Sequence, residues 1–302
     1  MSTKNASCTA GSDCTRCPDT RMRRWTLAFV RRVLQLSVLA LFIGTARLGW
    51  KIAGEPLLSG DFSASLLAGT VPFADPFAVL QKLAAGHPAE STMLVGALII
   101  LVVYALLGGR VFCGWMCPMN MVTDAAAAAR SATGLRADML RLDRRARYVL
   151  ALVSLIASVI TGAAAFEWVS PQAFLWREAV WGVGLGGIAA VLGVFAFDLA
   201  VLQRGWCGHL CPLGAFWSLV GNVGLVKPIF RNDRCTRCGD CLKVCPEPQV
   251  LNFKRAGQRG MIASGECTNC GRCAAVCPEN AIFFAPRFQA KKASDNDTQV
   301  NR

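Results

Sequence analysis

Apolar positions in this chain fall into a few long blocks, and charged positions collect between them. Val33 to about Trp50 is the first block, preceded by Arg21, Arg23, Arg24, Arg31 and Arg32. Met93 to Leu107 is the second, Tyr148 to Phe166 the third and Val180 to Leu202 the fourth. A crossing helix needs ~20 apolar residues, so the second block is expected to run on through Gly108 toward Phe112. The pattern predicts four membrane-crossing helices. Their sense follows from Lys and Arg, which are retained on the cytoplasmic side. Residues 110–147 carry Arg110, Arg130, Arg136, Arg141, Arg144, Arg145 and Arg147 against Asp124, Asp138 and Asp143, so they are assigned inside. Residues 51–91 have little excess positive charge and are assigned outside. Their apolar members Phe62, Leu66, Leu67, Phe73, Phe77 and Leu80 predict a short interfacial helix. Glu167 to Ala179 is the second outside loop, anchored at the interface by Trp168, Trp176 and Trp181. Leu213 to Val226 is shorter and reads as a helix lying along the inner interface. Both termini then lie inside.

Composition agrees with this picture. Hydrophobic residues make up 54% of the 302 positions and charged ones 17%, with a mean hydropathy of +0.41. That is too apolar for an ordinary soluble domain. The net charge of +13 is therefore read as marking the cytoplasmic side, not a nucleic-acid partner. The cationic flank before the first block also suits a signal peptide, but a small-residue cleavage pattern is lacking and the block is read as a retained span. Residues 1–20 are polar and unpatterned, and read as a disordered tail. Cys8, Cys14 and Cys17 lie there and are read as unliganded, since Cys14-x2-Cys17-Pro18 supplies two thiols where a cluster needs four. Residues 289–302 form a second polar tail.

The densest chemistry lies between Cys235 and Pro278. CTRCGDCLKVCP and CTNCGRCAAVCP are two copies of C-x2-C-x2-C-x3-C-P, the run that holds [4Fe–4S] clusters in bacterial ferredoxins. Thiolate sulfur is a soft donor suited to cluster iron. In two-cluster ferredoxins the fourth cysteine of each run ligates the other cluster. Cys235, Cys238, Cys241 and Cys277 are thus expected to hold one cluster, and Cys267, Cys270, Cys273 and Cys245 the second. A pair of zinc ribbons is the competing reading, disfavoured by two full copies with the Cys-Pro ending. Clusters on free thiols imply a reducing compartment.

A shorter motif occurs twice in the apolar part. Arg110-Val-Phe-Cys113-Gly-Trp-Met-Cys117-Pro118 and Arg204-Gly-Trp-Cys207-Gly-His-Leu-Cys211-Pro212 both read R-x2-C-G-x2-C-P, and each follows a pair of spans. The apolar part therefore reads as a duplicated two-helix unit. If the turns are helical, residues i and i+4 share a face, so each motif presents two thiols together. The prolines suit the first turn of a following helix. Cys113, Cys117, Cys207 and Cys211 are candidates for a third metal centre or a redox dithiol site, against the plainer reading of small packing residues.

His209, inside the second motif, and Asp198, near the inner end of the fourth span, are the candidate proton-handling residues. Arg47, Glu167, Arg177 and Glu178 are candidates to line an outside pocket. His87 reads as an ordinary exposed residue. Paired membrane histidines and C-x-x-C-H are lacking, which argues against haem. No Walker A, dinucleotide fingerprint, Ser-His-Asp grouping or basic–aromatic nucleic-acid signature occurs.

Four spans, two C-x3-C-P motifs at inner span ends and a C-terminal two-cluster ferredoxin together resemble the NapH family, membrane quinol dehydrogenase components of periplasmic nitrate reductase systems. The resemblance covers about residues 21–287. Membrane ferredoxins of the NosR and RdxA types share the C-x3-C-P pairs but carry extra domains. The resemblance implies ubiquinol oxidation in the bacterial inner membrane, with a periplasmic ferredoxin-type subunit and a membrane-anchored multihaem cytochrome as partners. The expected architecture is a membrane all-α four-helix domain over residues 21–226 and an α+β two-cluster ferredoxin domain over residues 227–288. Two other functions fit the same motifs: an iron–sulfur reductase or maturation factor for a metallo-oxidoreductase, and a non-catalytic anchor for a partner ferredoxin. With both clusters inside, the resemblance leaves a bilayer core of about 30 Å between them and chemistry outside.

Overall fold

The computed structural model describes residues 18–290 except 53, 61–62, 136–137 and 183. Cys8, Cys14 and Cys17 lie outside the described residues. Helix α1 (Pro18–Leu48) has 31 residues. Among the described residues it is the one helix both long and apolar enough to cross a membrane. Its basic first half lies on the ferredoxin part, where Arg23 Nη1 donates to Asn280 Oδ1 at 2.8 Å.

The other three apolar helices are shorter than expected. They are α3 (Ser91–Leu107), α6 (Ala146–Thr161) and α9 (Leu185–Ala200), of 17, 16 and 16 residues. At 1.5 Å per residue each is about 25 Å long, under the ~30 Å apolar thickness of a bilayer. Glycine sets two of the ends. Gly108 (φ 114°) stops α3 before Phe112, and Gly162 (φ 64°) stops α6 before Phe166, both in the left-handed conformation that caps helices. All three still carry an exposed apolar stripe at helical spacing: Val95, Leu98, Val102 and Leu106 on α3; Leu152, Ile156 and Val159 on α6; Leu185, Ile188 and Leu192 on α9.

The segment after α1 is not the expected interfacial helix. Lys51–Ile52 (β1) and Glu55–Pro56 (β2) form a hairpin, and Leu58–Gly60 (β3), Ala64–Leu67 (β4) and Val71–Ala74 (β5) form an antiparallel meander. Leu66, Leu67 and Phe73 are in strands, and Phe62 is outside the described residues. Only Pro76–Ala84 (α2) is helical, started by Pro76 and by Asp75, whose carboxylate accepts from the Phe77 N–H at 3.0 Å. The part preceding the ferredoxin runs is therefore not purely helical.

After α3 come α4 (Val111–Trp115) and α5 (Met119–Ala132), and after α6 come α7 (Ala165–Val169) and α8 (Pro171–Trp181). A π-helical turn, Trp206–Leu210, follows α9 and leads into α10 (Pro212–Asn222). Helix α10 is buried on most of its circumference and leaves Leu219 exposed, with Val223 just after it. Leu213, Ala215, Trp217, Ser218 and Gly221 are buried, and the helix packs against α3 and α6. The core joins Phe77, from a segment expected outside, and Phe166, the last residue of the third expected span, with Cys117, Met119, Leu213 and Trp217, from segments expected inside. Phe77 lies 5.9 Å from the Phe166 ring and 5.7 Å from that of Phe216. Short helices allow this: segments from both ends fold back between them and meet.

The C-terminal part is closed by β6 (Val226–Phe230) and β7 (Ile282–Pro286), antiparallel with Val226 opposite Pro286 and Phe230 opposite Ile282. Between them lie α11 (Asp240–Val244), α12 (Phe253–Arg259) and α13 (Arg272–Val276).

Candidate iron–sulfur centres and the cavities between them

Each ferredoxin run delivers three cysteines around a short helix and the fourth just past it. Cys245 and Cys277 have extended backbone at the ends of α11 and α13, and the following Pro holds them there. This turns the fourth thiol away from its own run. Cys235, Cys238, Cys241 and Cys277 line one cavity of about 210 Å³, with Phe230, Phe253 and Ile282. Cys267, Cys270, Cys273 and Cys245 line a second, much narrower cavity with Val250, Leu251 and Phe284.

The thiols also sense one another. Burial, then Cys238, Cys235 and Cys277, pushes the Cys241 thiol up to about 11. Burial, then Cys270 and Cys267 of the other run, pushes Cys245 up. Such crowding disfavours thiolates until a cation offsets it, and iron binding supplies that cation. Among the described residues no three His, Cys, Asp or Glu side chains converge on a single-ion point. A cubane asks for something else, because its four thiolates bind four different irons and stand around a core. Two foursomes of soft donors around two apolar-walled voids fit such a group.

The duplicated motif assembles a third foursome. Cys113 is in α4, Cys117 follows it, Cys207 is in the π-helical turn and Cys211 precedes α10. All four line one cavity of about 40 Å³. The Cys117 thiol donates to Gln172 Oε1 of α8 at 3.3 Å. Burial, then Cys113, pushes the Cys211 thiol up to about 11. Pro212 opens α10 as expected, whereas Pro118 stands one place before α5.

Three carboxylates hold the ferredoxin part to the preceding part: Glu266, which takes Arg147 at 2.5 Å, and the two hubs Asp124 and Glu247. Asp124 of α5 takes Arg32 at 2.5 Å, Arg204 at 2.8 Å, Arg31 at 3.8 Å and, more closely, Arg272 of the second ferredoxin run. Burial raises its carboxyl, but the guanidiniums of Arg272, Arg204, Arg31 and Arg32 outweigh that and hold it at about 2. Glu247, just after Cys245-Pro246, takes Arg110 at 2.9 Å, Arg147 at 3.4 Å and Arg144. The leading arginine of each R-x2-C motif thus reaches one hub, Arg110 at Glu247 and Arg204 at Asp124. Gly114 lies so close to the second ferredoxin run that a Cβ there would sit 3.0 Å from the Thr268 carbonyl oxygen. Trp115 Nε1 donates to Asn269 O at 3.1 Å.

The remaining candidates divide. Asp198 is buried and its Oδ1 accepts the Trp206 N–H at 2.9 Å, tying down the second motif. His209 is buried, and its Nδ1 lacks a hydrogen-bond partner. Burial, then the Arg144 guanidinium, lowers its pKa, which favours the neutral ring. Neither residue lines the four-thiol cavity. Arg47 donates to the Glu178 carbonyl at 2.9 Å, and Glu178 Oε1 accepts the Gly187 N–H at 2.6 Å, so these two join α1, α8 and α9. Glu167 and Arg177 instead line a cavity of about 410 Å³ together with Asp75, Lys82, Gln172 and Leu213. Asp75, Asp124, Gln172 and Glu247 were not expected as site residues. A lone Gln or Asp in a loop carries no periodic signal; Glu247 had one clue, its place beside a Cys-Pro ending.

The cavities share walls. Gln172 and Leu213 line both the 410 Å³ cavity and the four-thiol cavity. Glu247 and Thr268 line both the four-thiol cavity and the second ferredoxin cavity.

Comparison with known proteins recognises the same two kinds of module. A family model described as a 4Fe-4S binding domain matches twice, at residues 92–136 and 183–231, each match spanning one C-x3-C-P motif. A 4Fe-4S dicluster domain model matches residues 227–278. The ferredoxin-type protein NapH of Escherichia coli is 42% identical over 234 residues, covering 76% of this chain and 78% of its own. The methylamine utilization ferredoxin-type protein MauN of Paracoccus denitrificans is 42% identical over 245 residues, covering 80% and 83%. A putative electron transport protein, YccM of Escherichia coli, is 27% identical over 234 residues, covering 72% and 65%. No solved structure matches significantly. A doubled C-x3-C-P unit joined to a dicluster ferredoxin, at this identity and coverage, makes the chain a member of the NapH and MauN family of iron–sulfur ferredoxin-type electron-transfer proteins.

Proposed function

We propose that the chain is a membrane subunit that takes electrons from quinol and passes them through two [4Fe–4S] clusters to ferredoxin and cytochrome partners of a periplasmic reductase system. Cys235, Cys238, Cys241 and Cys277 hold one cluster, and Cys245, Cys267, Cys270 and Cys273 the other. Each cluster, when bound, accepts and releases one electron at a time. The protein's own residues set the surroundings of these positions: Glu247 and Asp124 with their arginines set the charge, and Phe230, Val250 and Phe284 supply apolar walls. Four helices cross the inner membrane, α1, α3, α6 and α9, with both termini cytoplasmic. The short helices locally thin the crossing or draw the bilayer in around them.

The observation that carries this reading is the run of shared walls. It links the 410 Å³ cavity, the four thiols of the duplicated motif and the second ferredoxin cavity in one line. It also shortens the distance between the two faces, since Gln172, from a segment read as outside, meets Cys117, from a segment read as inside. The test is anaerobic quinol addition to the purified protein in bilayers, followed by EPR. Reduced-cluster signals are expected; clusters that stay oxidised with quinol yet reduce with dithionite overturn the reading.

Equal identity to a relative named for methylamine utilization shows that the family is not tied to nitrate systems, and the second reading is an iron–sulfur reductase serving maturation of another oxidoreductase. Deletion would then lower cofactor content of the target enzyme and leave quinol turnover intact.

A further inference from the structure

The 410 Å³ cavity between the β-meander, α2, α7 and α8 belongs to none of the thiol sites. Its size falls in the range of small-molecule sites. Its wall is mixed. Phe166, Trp176, Leu213 and Met93 supply apolar surface, while Asp75, Lys82, Glu167, Gln172 and Arg177 supply polar groups. That combination suits a flat ring with two hydroxyls and an apolar tail.

The polar groups are held in place. Asp75 is fixed by capping α2. Ser63 Oγ donates to Glu167 Oε2 at 2.7 Å. Arg177 Nη2 donates to the Glu167 carbonyl at 2.9 Å. Gln172 accepts from Cys117 while lining the cavity, so one amide touches both spaces.

We propose that this cavity is where quinol is oxidised, with Asp75 as the proton acceptor and Gln172 as the positioning residue beside the four-thiol pocket. The proposal rests on the quinol-oxidising function proposed above. In the step, both O–H bonds of the quinol break and its two ring C–O bonds become C=O. The oxidant would be the two [4Fe–4S] groups that Cys235, Cys238, Cys241 and Cys277, and Cys245, Cys267, Cys270 and Cys273, would hold, each of which would supply a one-electron acceptor for the two electrons. One proton goes to the Asp75 carboxylate and the other to the neighbouring Glu167 carboxylate.

Burial, then the Glu167 carboxylate, raises Asp75 to about 7. The charged groups sharing its cavity are Glu167 of α7, Lys82 of α2 and Arg177 of α8. An acceptor near neutrality exchanges protons readily in both directions. Asp75 must be ionised to accept, so the rate is expected to rise as pH rises through about 7.

The test uses the full-length, cluster-containing chain in lipid nanodiscs and an azido-quinone photolabel. Adducts are expected within residues 63–93 and 164–177; adducts confined to other peptides overturn the assignment. Cluster reduction by quinol is then followed against pH in the parent and in Asp75→Asn, which keeps an acceptor for the α2 cap. The variant is expected to lose the rise through neutrality and to be slower by about 10²-fold, the usual weight of a general base. Its clusters should still reduce normally with dithionite. An Asp75→Asn variant that keeps both the rise and the rate overturns this site alone. A parent whose clusters quinol does not reduce removes the proposed function, and the site with it.

Discussion

Asp124 gives the sharpest test of how the two parts are joined. One carboxylate, buried to 8% side-chain exposure, faces arginines from α1, from the second C-x3-C-P motif and from the second ferredoxin run. Its carboxyl is held at about 2 against an ordinary 3.8. A depressed carboxyl contributes stability above its unfolded value and loses it as pH falls through its folded value, so at neutral pH the contribution is complete. At 1.36 kcal/mol per pH unit, this one ionisation is worth about 2.5 kcal/mol. Asp124→Asn keeps the shape, removes the charge and leaves Arg31, Arg204 and Arg272 facing one another. If the hub closes the docked state, opening becomes easier by about 2.5 kcal/mol, or about 70-fold. The assay is bleaching of the clusters' visible absorbance by a ferrous chelator at neutral pH. It tracks the open population when reclosing is fast. Asp143→Asn, at an exposed position, is the control and should match the parent. A change under about fivefold, the size expected of an exposed pair, would refute the argument.

Three further outcomes follow from the same geometry. The Cys238→Ala/Cys277→Ala pair should lose about four irons, whereas Cys270→Ala/Cys277→Ala should lose about eight, because the fourth cysteine crosses over; iron counts in the reverse order would remove the crossover. Gly114→Ala forces a Cβ to within 3.0 Å of Thr268 O and should weaken docking by about 1–3 kcal/mol, read as faster chelator bleaching at unchanged initial iron content. Cys113→Ser/Cys207→Ser tests the duplicated motif. A parent with more than about eight irons that falls to about eight in the variant means a metal held by those thiols; equal counts mean the thiols serve packing or redox exchange.

Much of this protein was already legible in residue spacing. The foursomes read from C-x2-C-x2-C-x3-C-P are the ones that line the two ferredoxin cavities, because the motif is local: a tight turn, a short helix and a Cys-Pro exit dictate where each thiol goes. The duplicated R-x2-C-G-x2-C-P motif likewise announced four thiols, and the resemblance to the NapH family holds at 42% identity. Helix ends were less legible, since apolar runs do not register where a glycine takes a left-handed turn, as at Gly108 and Gly162. The strands at 51–74 were missed because their apolar residues satisfy a helical spacing loosely and a hairpin period only over two to four residues.

What tertiary structure alone decided is which distant residues meet. Charge counting sorts the loops by composition, but it cannot register that helices of about 25 Å let loops from their two ends enter between them. Gln172 against Cys117 and Phe77 against Phe216 are products of that meeting, and Asp75 beside Glu167 joins two loops far apart in sequence. The two acidic hubs are of the same kind: an Asp or Glu shows its role only when arginines from several helices arrive at it. Spacing along a chain specifies local geometry, whereas pairing across it depends on element length and packing.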